Sequence, residues 1–155
     1  MKLLICIDGS EPALDALRHA LGLCQAGLRA DLLLATVQAP TYVYELLLTP
    51  TPAGFEGVTG AAGARSLEGA AALCAAAGAP FESEIGSGDP APVLLDLAAR
   101  HGCSAIVMGA RGHGALRAVL LGSVSQAVLA QAALPVTIVK QRHPGTGGPA
   151  GNPHA

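Results

Sequence analysis

Residues 105–114 read AIVMGARGHG and residues 121–125 read LGSVS, and these two stretches carry most of the information about the fold. Ala105 to Met108 is a short apolar run, which is typical of a strand buried on both faces. Glycines follow it directly. In open α/β sheets ligands bind beyond the carboxyl ends of the strands, and backbone without Cβ atoms can approach an anion closely. The pattern therefore predicts a buried strand that leads into an anion-binding loop.

The second stretch begins a helix that we predict over Ser123 to Ala133. The first amides of a helix and its dipole favour an anion, so two anion-seeking elements would face one ligand. Arg111 lies between two loop glycines and is expected to contact phosphate, although it could be only a solvated charge. Ser123 and Gln126 also fit a capping box, which is the structural alternative to a ligand contact. His113 and Arg117 are expected at the surface.

Apolar runs and helical patterns alternate along the rest of the chain. Strands are predicted at Leu3 to Ile7, Asp31 to Val37, Phe81 to Ile85 and Pro135 to Lys140, and helices from the Ser10 cap to Gly27, from Arg65 to Ala77 and from Asp89 to Gly102. This order implies right-handed βαβ units and an open parallel sheet with helices on both faces, a doubly wound α/β fold.

Two segments fall outside this pattern. Thr41 to Gly63, with its prolines and glycines, is expected to be irregular, either a lid or a variable excursion. The residues from Arg142 onward are mostly Pro, Gly and small polar residues, so 142–155 is expected to be a disordered tail and 1–141 the folded domain.

Composition limits the class of function. The chain has 155 residues, 51% of them hydrophobic, and a formal net charge of -2, which suits one buried core and argues against nucleic-acid binding. All 11 acidic residues precede Leu97, whereas Arg100, Arg111, Arg117, Lys140 and Arg142 lie in an acid-free second half. An anion site is therefore expected in that half.

The four cysteines, Cys6, Cys24, Cys74 and Cys103, are widely spaced among apolar neighbours and form no C-x-x-C pair. We interpret them as small buried hydrophobes of a reducing compartment. The first apolar run is interrupted by Asp8, so neither a signal peptide nor a membrane span is expected. The predicted location is cytoplasmic, without membrane contact.

Neither the P-loop pattern nor G-x-G-x-x-G is complete in this chain. The pattern that is present is G-x-x-G, nine residues, then G-[ST], formed by Gly109, Gly112, Gly122 and Ser123. With it go Ile7-Asp8-Gly9-Ser10-Glu11, Leu34-Ala35-Thr36-Val37 and Leu134-Pro135-Val136. On these residues the chain resembles the ATP-binding branch of the universal stress protein family, from Leu3 to Lys140.

The resemblance implies a five-stranded, Rossmann-like sheet of the adenine nucleotide alpha hydrolase type. It also implies ATP, accompanied by Mg²⁺, across the ends of the first, second and fourth strands, and a homodimer paired through the last strand, Val136 to Lys140. The cofactor-binding residues carried over are Ile7, Asp8 and Val37 around the base and ribose, Gly109, Arg111, Gly112, Gly122, Ser123, Val124 and Ser125 around the phosphates, and Met108 at the end of the strand that enters the glycine loop. The family often has a histidine at the position of Thr36 and an acid at that of Ser104, and this chain has neither.

Asp8 could instead be only a turn former. Fast hydrolysis normally needs a base or water-positioning residue and metal ligands at the γ-phosphate, and Asp8 is the one candidate, so we expect no catalytic residues. The predicted function is a regulatory ATP-binding module in the stress response, with an unknown protein partner. The alternatives are a nucleotide-free dimeric interaction protein of the same fold and a slow ATP hydrolase.

Overall fold

The computed structural model describes residues 1–38, 52–112 and 121–141, with the backbone alone for residues 52–62. In chain order its elements are β1 (Lys2–Cys6), α1 (Glu11–Gln25), β2 (Asp31–Gln38), α2 (Pro52–Ala76), β3 (Phe81–Ser87), α3 (Pro90–Arg100), β4 (Ala105–Gly109), α4 (Ser123–Gln131) and β5 (Val136–Val139).

The five strands form one sheet in the order β3-β2-β1-β4-β5, and every pairing is parallel. The order reverses between β1 and β4, because β2 and β3 extend to one side of β1 while β4 and β5 extend to the other. The predicted five-stranded, doubly wound α/β fold is confirmed. Pro135 precedes an edge strand, as expected, since proline cannot donate to a ladder.

Each face of the sheet is covered by a helical layer. Leu3, Ile5 and Leu34 pack with α1 and α2 on one face, and Leu4 and Leu33 pack with α3 and α4 on the other. Side chains alternate between the faces of a strand, so both registers of the central strands must be apolar. This is why Leu3 to Cys6 of β1 and Leu32 to Ala35 of β2 are unbroken hydrophobic runs.

The helices α1 and α3 begin where their flanking residues predict. The Ser10 hydroxyl accepts a hydrogen bond from the Ala13 amide and caps α1. Asp89 is the N-cap residue of α3, with Pro90 at the first helical position. Gly27 follows α1 with φ +115°, a backbone conformation that glycine adopts without strain.

The prediction of irregular chain up to Gly63 is wrong for residues 52–63, because α2 begins at Pro52 rather than at Arg65. Pro52 occupies the first helical position, where its missing N–H costs nothing, and no further proline interrupts the helix. A Cβ on Gly63 would lie 2.7 Å from Ile85 Cγ2, so this glycine lets α2 approach β3. The strand β3 also runs two residues further than predicted, to Ser87.

Three predicted segments lie outside the described residues in whole or in part. They are the first part of the excursion at 41–51, the positions of His113 and Arg117, and the tail at 142–155. In the described part of the chain, no helix combines the length and the apolar character that crossing a bilayer would require.

Leu33 and Leu34 test the two-sided core, since they are neighbours on β2 and each is 0% exposed. We expect Leu33→Ala and Leu34→Ala to lower the free energy of unfolding by similar amounts, about 2–5 kcal/mol each. Leu129→Ala, at a side chain that is 42% exposed, should cost below about 0.5 kcal/mol. Urea denaturation followed by circular dichroism measures all three. A large loss at only one of the two β2 positions would contradict the two-layer packing.

Candidate functional site

A cavity of about 870 Å³ lies at the carboxyl ends of β1, β2 and β4. This is the point where the strand order reverses, and in open α/β sheets such a crevice is the usual place for a ligand. All of the residues predicted to bind a cofactor line it, namely Ile7, Asp8, Val37, Met108, Gly109, Arg111, Gly112, Gly122, Ser123, Val124 and Ser125. Their contact with a ligand stays a prediction.

Asp8 shapes the turn between β1 and α1. Its Oδ1 accepts hydrogen bonds from the Ser10 amide, at 2.9 Å, and from the Ser10 hydroxyl. Gly9 between them has φ +80°, which the turn requires. The structural role that the sequence left open for Asp8 is therefore present. The second carboxylate oxygen faces the glycine loop, because a Cβ on Gly112 would lie 2.5 Å from Asp8 Oδ2.

Hydrogen bonds join the end of β4 to the segment that enters α4. The Ala110 amide donates to the Val139 carbonyl at 2.9 Å, and the Ala110 carbonyl accepts from the Gly122 amide at 2.7 Å. The Ser125 hydroxyl donates to the Gly109 carbonyl at 2.9 Å. The chain reverses direction at two glycine-containing segments, Gly109 to Gly112 and Gly122 to Ser123, and these two reversals are thus adjacent. A single anion that contacts both would need this arrangement.

The three described motif glycines differ in why the fold accepts them, and none of them has a positive φ. A Cβ on Gly109 would lie 2.7 Å from the Pro12 carbonyl oxygen, so α1 excludes any side chain there. At Gly112 the Asp8 carboxylate fills the space. At Gly122 the nearest atom among the described residues, its chain neighbours aside, would be Arg111 Cα at 3.5 Å, an ordinary contact. The fold therefore requires glycine at 109 and leaves room for a Cβ at 122.

The first turn of α4 has no side-chain cap. The predicted capping box of Ser123 and Gln126 is wrong, because the N-cap residue is Gly122 and no cap hydrogen bond forms. Gln126 instead donates through Nε2 to the Leu121 carbonyl at 3.0 Å. The first amides of a helix have no partner within the helix. Those of Ser123, Val124 and Ser125, beside the cavity, are therefore uncapped by any described side chain.

Among the described residues that line the cavity, Arg111 is the one basic residue and Asp8 is the one acidic residue. Arg111 is half-buried and forms no ion pair with any described side chain. A guanidinium without a carboxylate partner, next to uncapped helix amides, favours an anionic ligand. The described residues contain no group of three or more side chains suited to holding a metal ion.

Much of the cavity lining is apolar, and it includes residues that sequence reasoning missed. Leu94 and Pro90 of α3 lie with Ile7, Val37 and Met108, and Thr36 and Gln38 complete the end of β2. The sequence could have predicted Pro90 at this cavity, because a helix that follows a parallel strand begins at that strand's carboxyl end. A flat apolar ligand group could lie here, with its charged part toward Arg111.

Comparison with known proteins agrees with this geometry. The family model described as the universal stress protein family matches residues 1–140. The chain is also 32% identical over 149 residues to Universal stress protein YxiE of Bacillus subtilis, an alignment that covers 90% of this chain and 98% of the relative. The chain belongs to the universal stress protein family.

Solved structures match this universal stress protein over most of its length. The structure of protein MJ0577 matches with a TM-score of 0.75 and 25% identity, covering 92% of this chain and 96% of that one. A universal stress protein solved in complex with cAMP matches with a TM-score of 0.57 and 27% identity, covering 90% and 95%. The family match extends to residue 140, next to the end of β5, and so spans the whole sheet.

The thiol of Cys6 lies at the cavity wall of this universal stress protein and is buried. Burial, and next the nearby Asp8 carboxylate, raise the pKa of Cys6 to about 12, because both disfavour the thiolate. At pH 8 the Cys6 thiol is then almost wholly protonated.

We expect Cys6 to react with iodoacetamide at pH 8 far more slowly than Cys24, which is partly exposed on α1. The thiolate is the reacting species, and Cys6 has almost none. Peptide mass spectrometry after timed labelling measures both sites, with labelling in urea as the control in which the two become equal. Equal rates in the folded protein would contradict the buried position of Cys6.

Proposed function

We propose that this chain binds ATP, with Mg²⁺, in the cavity at the carboxyl ends of β1, β2 and β4, and acts as a regulatory module in the stress response. The observation that carries the proposal is the meeting of two anion-seeking elements in one cavity. The loop after β4 brings Arg111, and α4 brings three uncapped amides. Both would face the same triphosphate.

The cavity lining offers groups for both parts of an adenine nucleotide. Leu94, Val37 and Met108 offer an apolar surface for a base, and Arg111 and the first turn of α4 offer positive charge and N–H donors for phosphates. Mg²⁺ prefers oxygen ligands and usually keeps several waters, so it would be held mainly through the phosphates. Asp8 Oδ2 is the carboxylate oxygen on hand to assist.

A relative supports the class of ligand. The universal stress protein solved with cAMP is 27% identical to this chain and covers 90% of it, and cAMP is an adenine nucleotide. Its complex makes the nucleotide proposal for this cavity stronger than the glycine pattern alone would make it.

We propose binding rather than rapid hydrolysis. Phosphoryl transfer relies on a residue that positions the attacking water and on metal ligands near the γ-phosphate. Among the described lining residues Asp8 is the one acid, and its Oδ1 is already engaged by Ser10. The ligand would then act by changing what the surface offers to a protein partner.

Assembly and location complete the proposal. Among the described residues β5 stands at an edge of the sheet and no strand pairs with its outer side. Such an edge can pair with a second copy, and we propose a homodimer through Val136 to Lys140. The four cysteines are free thiols, which suits a reducing cytoplasm.

Gly122→Ala is the sharpest test of ATP binding, because the fold has room for this Cβ. The added methyl would stand between the two reversals, near Arg111 Cα and the Gly112 amide. By isothermal titration calorimetry with Mg-ATP, we expect wild-type protein to bind and the variant to bind about tenfold more weakly, a loss of about 1.4 kcal/mol. Gly109→Ala is unsuitable, since its Cβ would collide with the Pro12 backbone.

Gly22→Ala is the matched control, because in the described part of the chain no atom beyond the nearby backbone of α1 lies within 4 Å of the added Cβ. It should leave ATP binding unchanged and raise the free energy of unfolding by about 0.5–1 kcal/mol, the helix propensity difference. Failure of the wild-type protein to bind Mg-ATP at millimolar concentration would reject the proposed function. An unchanged affinity in Gly122→Ala would reject the position of the phosphates.

A further inference from the structure

Ser125 lies in the first turn of α4, and its side chain does not face open solvent. The residue is 3% exposed, and its hydroxyl donates to the Gly109 carbonyl at 2.9 Å. A serine hydroxyl has one proton to donate. That proton is already donated to the Gly109 carbonyl, so the hydroxyl has none left for a phosphate oxygen.

The hydrogen bond from the Ser125 hydroxyl to the Gly109 carbonyl connects the end of β4 to the first turn of α4. Gly109 is the last residue of β4, where the sheet fixes the backbone through Ala110 and Val139. From there the Ala110 carbonyl holds the Gly122 amide at 2.7 Å, and the Gly109 carbonyl holds Ser125 three residues further on. Two consecutive carbonyls, those of Gly109 at the end of β4 and of the next residue, Ala110, thus fix two points at the start of α4.

Without the hydroxyl, the buried Gly109 carbonyl would lose this partner, and the turn would be held to the sheet mainly at Gly122. Anion binding by backbone amides depends on their being aligned before the ligand arrives. A turn held at one point can shift, and its amides then have to be ordered when the anion binds.

Ser123 is a natural comparison in the same turn. It occupies the first helical position, is exposed, and its hydroxyl makes no cap hydrogen bond. Of the two serines, Ser123 has the hydroxyl that is available to a ligand.

We propose that Ser125 is a positioning residue for the phosphate-binding turn. Its hydroxyl holds the amides of Ser123, Val124 and Ser125 at the spacing that the phosphate groups require, and it does not itself bind phosphate. This inference rests on the proposed ATP site and assigns separate roles to the two serines of that site.

The test compares Ser125→Ala, Ser125→Thr and Ser123→Ala with the wild-type protein. Titration calorimetry gives the Kd of Mg-ATP and of adenosine, and hydrogen exchange of the ligand-free protein gives the protection of the Gly122 amide. In Ser125→Ala we expect ATP to bind about five- to tenfold more weakly and the Gly122 amide to exchange about five- to tenfold faster, the loss of one buried hydrogen bond. Adenosine affinity should stay within about twofold, since the base side is untouched.

Ser125→Thr keeps the hydroxyl and is expected to restore both ATP affinity and Gly122 protection. Ser123→Ala should leave the Gly122 exchange rate at the wild-type value while weakening ATP, because its hydroxyl is a direct contact. These two variants separate the loss of a ligand contact from the loss of a support.

Three results would overturn the proposal. One is an unchanged ATP Kd in Ser125→Ala. Another is weaker ATP binding with unchanged Gly122 exchange, which would make Ser125 a direct ligand. The third is an equal loss for ATP and adenosine with faster exchange at core amides such as Leu34, which would make it a purely structural residue. A failure of the proposed function is distinguishable from all three, because the wild-type protein itself would then not bind ATP.

Discussion

The close approach of α1 to the end of β4 is the contact on which the candidate site depends. The Pro12 carbonyl passes so near Gly109 that no Cβ fits between them, and this sets where the chain leaves the central sheet. The same exit point carries the carbonyls that hold the segment entering α4. Packing between a helix and a strand therefore determines where the amides beside the cavity stand.

The remaining features of the cavity follow from sheet topology and charge. Parallel strands end at a common edge, so β1 contributes the Asp8 turn and β4 the Arg111 loop to a single crevice. Asp8 is tied to Ser10 and lies against Gly112, whereas Arg111 has no described carboxylate partner. The Asp8 carboxylate is thus held by the β1–α1 turn, and the Arg111 guanidinium has no described carboxylate to compete with an anionic ligand.

The sequence predicted the fold well because its signals were periodic and local. Short apolar runs in β1, β2 and β4 are typical of strands covered on both faces, and Ser10 and Asp89 marked the helix starts. The start of α2 was missed because repeated glycines from residue 54 onward conceal a helix whose packing against β3 is a tertiary effect. The Ser123 capping box failed for a similar reason, since the position of Gly122 against Ala110 sets the cap. The motif spacing also identified Gly109 and Gly122, but it did not show that packing requires glycine at 109 and leaves room for a Cβ at 122.

That difference bears on how relatives of this chain can be interpreted. A glycine at position 109 is required by the fold, because no larger residue fits against the neighbouring helix. At position 122 the same fold can accept one additional methyl group. A homologue that keeps the former and replaces the latter would retain this topology and could have lost its ligand. Sorting family members by the second position alone would then divide them by chemistry rather than by descent.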